Sequence, residues 1–143
     1  NFCILLLYQI CNFNYMNCPN CNSCMIIVER EDIELNWCPS CHGFWFSLIE
    51  LKLLAKKFNV QKNLLEFLKS IDFKTKEEKR HCPKCFNLMY KVDANGIVLD
   101  KCINNCGLWF DCNELSKFIN SFSNDKLVNN FTINFLGEFF NIK

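Results

Sequence analysis

The chain has 143 residues, half of them apolar, which is enough for one medium domain or two small ones. A formal charge of +1 excludes electrostatic capture of nucleic acid or of an anionic membrane by the chain as a whole. Twelve cysteines are the outlying count, and their recurrence as Cys-Pro-X-Cys points to metal binding rather than to a secreted disulfide scaffold.

In chain order, residues 1–15 come first. Their apolar core is too short to span a bilayer, and they carry neither a basic leader region nor a small-residue cleavage site. They are expected to be a non-native or disordered extension ahead of Met16, with an anchoring or partner-docking segment as the alternative. Cys3 and Cys11 have no partner motif there and are assigned no role. No export signal is recognised, so a reducing cytoplasm is the expected compartment, where thiols stay available to a metal.

A first module is expected over residues 16–73. A cysteine knuckle at Cys18–Cys21 leads into a hairpin with strands at about 24–29 and 33–38, turning at Glu29–Asp32. A second knuckle, Cys38–Cys41, is followed by Gly43-Phe44-Trp45-Phe46. Ser47-Leu48-Ile49-Glu50 then reads as a capping box that starts a helix carrying Leu48, Leu51, Leu54, Ala55 and Phe58. A further helix carries Leu64, Leu65, Phe67, Leu68 and Ile71, and the polar run 74–80 reads as a linker.

The second module, residues 81–143, repeats the plan. Shifted by 64 positions, residues 18–54 match 82–118 without a gap, with thirteen identities in 37 positions, so a duplication is the simplest explanation. Strands are expected at about 88–93 and 97–102, joined by Asp93-Ala94-Asn95-Gly96, where Asn and Gly accept positive φ. Asp111-Cys112-Asn113-Glu114 is the carboxylate analogue of the first capping box, ahead of Leu115, Phe118, Ile119 and Phe122. A C-terminal helix carries Leu127, Val128, Phe131, Phe135, Leu136, Phe139 and Phe140. Trp45 and Trp109 are expected to close the apolar layer between hairpin and helix.

Eight of the cysteines have metal-ligand spacing. Module one presents C-x2-C-x16-C-x2-C through Cys18, Cys21, Cys38 and Cys41. Module two presents C-x2-C-x16-C-x3-C through Cys82, Cys85, Cys102 and Cys106. Two ligands on a tight knuckle and two more delivered through a hairpin complete the tetrahedron that zinc accepts in structural sites, so two Zn2+ ions are expected. Rubredoxin-like iron is the competing metal. In the second module Asn105 stands where Cys41 stands in the first, and Cys106 aligns with His42. Cys102 and Trp109 keep the separation of Cys38 and Trp45, so nothing was inserted, and Cys106 is read as the displaced fourth ligand. His42 could replace Cys41, although a position outside the coordination sphere suits it better; His81 reads as a bystander. Cys24 aligns with Leu88 and reads as a small buried hydrophobe, and Cys112 lies in the second helix cap without a partner cysteine.

Cys-Pro-X-Cys followed by Cys-X-X-Cys-(Gly/His)-Gly-X-Trp-(Leu/Phe)-Asp-X-X-Glu-Leu resembles the transcription factor IIB-type zinc-ribbon family over residues 16–55 and 80–118. The resemblance implies a small α+β fold of two tandem zinc ribbons, each a β-hairpin with knuckles, followed by amphipathic helices. It implies Cys18, Cys21, Cys38 and Cys41 as ligands of one zinc, and Cys82, Cys85 and Cys102 as ligands of the other. Asn105, Ser47 and Ile103 depart from its pattern.

Four protein ligands per ion leave no open position for a hydrolytic water, so no enzyme is expected and no catalytic residue is assigned. With eight thiolates and two divalent ions bound, the formal charge falls to about −3, although residues 52–84 hold ten basic and four acidic side chains. The leading expectation is a structural-zinc protein acting as a protein-interaction or regulatory module, with an unknown protein partner and no membrane span. A transcription-associated, nucleic-acid-binding ribbon is the alternative, and a redox or metal-handling protein the second alternative.

Overall fold

The computed structural model describes residues 15–30, 32–57, 59, 62, 80–94 and 96–122. The second helix expected within 64–71, the C-terminal helix within 127–140, the extension up to residue 14 and the linker up to residue 79 lie outside the described residues. Eight elements run in order: β1 (Ile26–Arg30), β2 (Ile33–Trp37), β3 (Phe44–Ser47), α1 (Leu48–Lys57), β4 (Met89–Ala94), β5 (Ile97–Cys102), β6 (Gly107–Phe110) and α2 (Glu114–Phe122).

Both expected hairpins form. β1 pairs antiparallel with β2 from Ile26–Trp37 to Arg30–Ile33, and β4 with β5 from Met89–Cys102 to Ala94–Ile97. Each closes through two residues, with Asp32 at φ 64° in the first turn and Gly96 at φ 83° in the second. Asp tolerates that left-handed region because its short side chain bonds locally, so the first turn closes without the Asn or Gly of the second. In the second turn Asp93 Oδ1 accepts the Gly96 N–H at 2.7 Å.

A third strand in each module was not foreseen. Phe44–Ser47 and Gly107–Phe110 become β3 and β6, which extend their hairpins at β2 and β5 and then pair antiparallel with each other. The described strands thus form one six-stranded sheet in the order β1-β2-β3-β6-β5-β4. In the central pairing Trp45 faces Trp109, Phe44 faces Phe110 and Phe46 faces Leu108. Residues 45 and 109 are equivalent in the duplication, so exchanging the modules maps this register onto itself. A local two-fold relation therefore passes through the tryptophan pair.

The pleat sends neighbours on β3 and β6 to opposite faces. On one face Phe44, Phe46, Leu108 and Phe110 join Ile33, Leu35, Trp37, Val92 and Leu99 beneath Leu51, Leu54 and Ala55 of α1 and Leu115 and Phe118 of α2. Phe46 and Phe110 meet edge to face at 5.8 Å, and Phe110 meets Phe118 at 5.2 Å. On the other face Trp45 and Trp109 cluster with Met25, Met89 and the buried cysteines Cys18, Cys38, Cys82 and Cys102. The expectation that the tryptophans close the layer under the helices is therefore corrected: they lie on the opposite face, because β3 and β6 are pleated strands rather than a lead-in to a helix.

The first capping box forms reciprocally. Glu50 Oε2 accepts the Ser47 N–H at 2.9 Å, and Ser47 Oγ accepts the Glu50 N–H at 3.2 Å. Only half of the second forms. Glu114 Oε2 accepts the Asp111 N–H at 2.7 Å, but the Asp111 carboxylate accepts two bonds from Arg80 Nη1 at 2.9 Å and one from Trp109 Nε1 at 2.8 Å. A charge-assisted guanidinium contact outcompetes a backbone N–H. The helix then starts at Glu114, behind Asn113 at φ 70°.

Gly43 and Gly107 are set by the central pairing. A Cβ on Gly43 would collide with Cζ2 of Trp109 and lie 2.6 Å from its Cη2. One on Gly107 would collide with the Phe46 carbonyl oxygen and lie 2.9 Å from Trp45 Cζ2. Gly96 faces open space, so alanine there adds only left-handed strain of about 1 kcal/mol. Overpacking at the other two is expected to cost about 1–3 kcal/mol or more. It should be worst at Gly107, where the obstacle is backbone that cannot rotate away. Thermal melts of the zinc-loaded variants are expected to rank Gly96→Ala above Gly43→Ala above Gly107→Ala.

Candidate metal centres

The eight cysteines with ligand spacing come together in two groups, Cys18, Cys21, Cys38 and Cys41 in one and Cys82, Cys85, Cys102 and Cys106 in the other. Within each group the sulfurs lie within 4.8 Å of one another. Cys18–Cys41, Cys21–Cys38 and Cys85–Cys102 are separated by 3.5, 3.4 and 3.5 Å. Four sulfurs at about 2.3 Å from a zinc stand roughly 3.8 Å apart, so the cages are close to the size the ion requires. His42 is in neither group. Its ring stands 5.6 Å from that of Trp37, tilted by 37°.

The knuckles explain how the sulfurs converge. After Cys21, Cys41 and Cys85 the chain enters the left-handed region at Asn22 (φ 60°), His42 (φ 61°) and Phe86 (φ 63°). Each of these residues donates its N–H to the carbonyl four positions back, on Cys18, Cys38 and Cys82 at 2.9, 2.8 and 2.9 Å. The turn also aims N–H groups at the first sulfur. Cys18 Sγ accepts from Asn20 and Cys21 at 3.3 and 3.5 Å, and Cys82 Sγ from Lys84 and Cys85 at 3.4 and 3.5 Å.

The fourth knuckle is wound differently. Asn105 takes the left-handed conformation at φ 56°, ahead of the cysteine rather than behind it. Its N–H bonds to Cys102 O, three positions back, at 3.1 Å. The turn thus closes one residue early, and Cys106 arrives where Cys41 arrives in the first module. Asn suits the pivot because it tolerates positive φ.

The thiols of each cage differ in acidity. Burial drives the Cys18 thiol far above its ordinary range and Cys38 up to about 11. At Cys21 burial is outweighed by hydrogen bonds from Ser23, Cys38 and Cys18, which together bring it down to about 6. In the second cage burial carries Cys82 up to about 12 and Cys106 up to about 11. Cys85 is lowered to about 6, first by the Asn87 N–H. Cys21 and Cys85 are therefore the thiols readiest to meet a divalent ion as thiolates, whereas the raised thiols give up their protons to it on binding.

A family profile described as "Transcription factor zinc-finger" matches residues 17–57 and 81–121, more than half of the chain. The chain belongs to this family, the transcription factor IIB-type zinc ribbons. No curated protein and no solved structure matches it significantly. A zinc ribbon with four thiolates per cage takes zinc, so two four-cysteine cages take two ions. Bound zinc supplies the positive charge that keeps four thiolates together and clamps two knuckles. No described helix of this zinc-ribbon protein is long and apolar enough to cross a membrane.

Other cysteines stand apart from the cages. Cys112 is exposed. Cys24 is half-buried rather than buried, and its backbone pairs antiparallel with that of Asn17. A single-residue reading of the sequence missed Arg80, placed at the end of the expected linker. Its side chain joins Asp100 at 3.1 Å and Asp111 at 2.9 Å in the second module to Asn20 Oδ1, at 3.0 Å, in the first knuckle of the first. Lys91 Nζ lies 2.9 Å from Asp100, which is only 2% exposed.

Two outcomes are expected. Native mass spectrometry should count one zinc on Cys106→Ser and two on Asn105→Ala, which loses about 1 kcal/mol to left-handed strain but no ligand. At pH 7 each cage should release at least two protons on binding, from Cys18 and Cys38 or from Cys82 and Cys106. Affinity then falls about a hundredfold or more per pH unit on acidification. Calorimetry in buffers of different ionisation enthalpy counts those protons.

Proposed function

We propose that this zinc ribbon is a structural-zinc module that docks a protein partner at the cleft between its two leading knuckles. The observation that carries the reading is Phe86. It is 75% exposed and held at φ 63°, where a bulky side chain costs about 1–2 kcal/mol. The equivalent residue of the first module is Asn22, which suits that conformation. Phe86 borders a cleft of about 570 Å³ with Pro19, Pro83, Asn17, Asn20 and His81 on its walls. Leu88 and Ile103 are exposed on the same module, where the first has Cys24 and Pro39. An exposed aromatic beside a partly apolar cleft is the kind of anchor that protein interfaces use.

Charge favours a protein over nucleic acid. Cys18 and Cys82 line the cleft, and each loaded four-thiolate cage carries a net charge of about −2. The Arg80 and Lys91 side chains on its wall are engaged by Asp100 and Asp111, so among the described residues no run of uncompensated cations lines the cleft. Catalysis has no part in this reading, since each cage offers an ion four protein ligands.

Photo-crosslinking from position 86 in cells, with position 49, exposed on α1 and not a wall of the cleft, as the control, tests the proposal. A discrete protein adduct from 86 and not from 49 is expected. Nucleic-acid adducts, adducts alike from both positions, or none from either would overturn it. Phe86→Asn is expected to gain about 1 kcal/mol of stability by relieving the backbone while abolishing the protein adduct formed from a crosslinker at the neighbouring Asn87.

A further inference from the structure

The loop that delivers the last ligand of each cage is also the seat of the other module's tryptophan. Gly43 follows Cys41 by two residues, and a Cβ there would run into the Trp109 ring. The same glycine accepts the Cys38 N–H on its carbonyl at 2.9 Å, so it is tied to a ligand of the first cage. In the second module Gly107 follows Cys106 directly, and a Cβ there would stand 2.9 Å from Trp45 Cζ2. Trp45 and Trp109 face each other across the central strand pair and are fully buried between the two cages.

We infer that the two zinc sites fill cooperatively, with Trp45 and Trp109 as the residues that position each other's ligand loops. A metal-free ligand loop is held by a few backbone bonds, and the ion pins it. Pinning the Cys38–Gly43 loop fixes the surface on which Trp109 rests. Trp109 in turn orders β6 against β3, and β6 begins at Gly107, one residue past Cys106. The second ion then meets ligands whose ordering the first has already imposed, and linkage makes the effect equal in both directions. The inference rests on the zinc sites alone and is independent of what docks at Phe86.

The full chain, stripped of metal and half-refilled with Co2+ from a competing chelator, tests this by native mass spectrometry. Two independent sites of equal affinity leave about half of the molecules with one ion, and unequal affinities leave more. Tenfold coupling lowers that share to about a quarter, which is the result expected. A share of half or more overturns the inference.

Trp109→Phe and Trp45→Phe, which keep an apolar ring, are expected to bind two ions at saturation and to return the one-ion share to about half. Phe118→Leu is the control, since that residue is buried in α2 on the helix face, in the cluster that contains no cage cysteine. It should leave the one-ion share at a quarter. If all three variants shift the share alike, the coupling runs through global stability and the positioning role is wrong.

Discussion

Pairing of β3 with β6, centred on Trp45 opposite Trp109, is the constraint on which the remaining architecture depends. A single ribbon of three short strands and two knuckles has too little interior to stand unaided. Joining the inner edges of two such ribbons produces a sheet wide enough to have two usable faces. One face collects Phe44, Phe46, Leu108 and Phe110 under both helices, and the other collects the tryptophans between the cages. The same pairing removes two strand edges that would otherwise be open to association. Its cost in sequence freedom falls on Gly43 and Gly107, because a side chain at either would enter the space an indole or a carbonyl occupies.

The duplication is symmetric in register but not in chemistry. Arg80, Lys91, Asp100 and Asp111 form a half-buried ionic network in the second module, whereas the matching positions of the first are Met16, Ile27, Asn36 and Ser47. Burial raises the Asp100 carboxyl pKa, and the hydrogen bond and charge of Lys91, then the charge of Arg80, oppose that rise. A buried carboxylate of this kind persists where its partners are fixed, and here they also link the modules through Asn20. The network draws Asp111 away from the helix cap and onto Trp109. It therefore braces the tryptophan that rests against the first cage. The second module also has the rewound knuckle and the exposed, left-handed Phe86.

Local chemistry was legible. The hairpins follow from turn residues that accept positive φ, the first helix from a capping box that forms as written, and the two cages from four-cysteine spacing repeated in register. Even the displaced thiol could be followed, because the unchanged separation of Cys102 and Trp109 left Cys106 as the sulfur within reach. Asn105 supplies the pivot: its conformation is decided within one turn of chain.

What the amino-acid sequence determined by itself was whatever depends on neighbours a few residues away: knuckles, turns, one cap and the identity of the metal ligands' chemistry. Only the tertiary structure decided that Phe-Trp-Phe and Leu-Trp-Phe lie in strands, since a segment covered on both faces reads as an unbroken apolar run with no period to betray it. It also decided which face holds the tryptophans and where Arg80 spends its charge. Both depend on contacts between residues twenty or more positions apart. Such partners are selected by packing and by competition for donors and acceptors, and neither leaves a mark in the local pattern of residues.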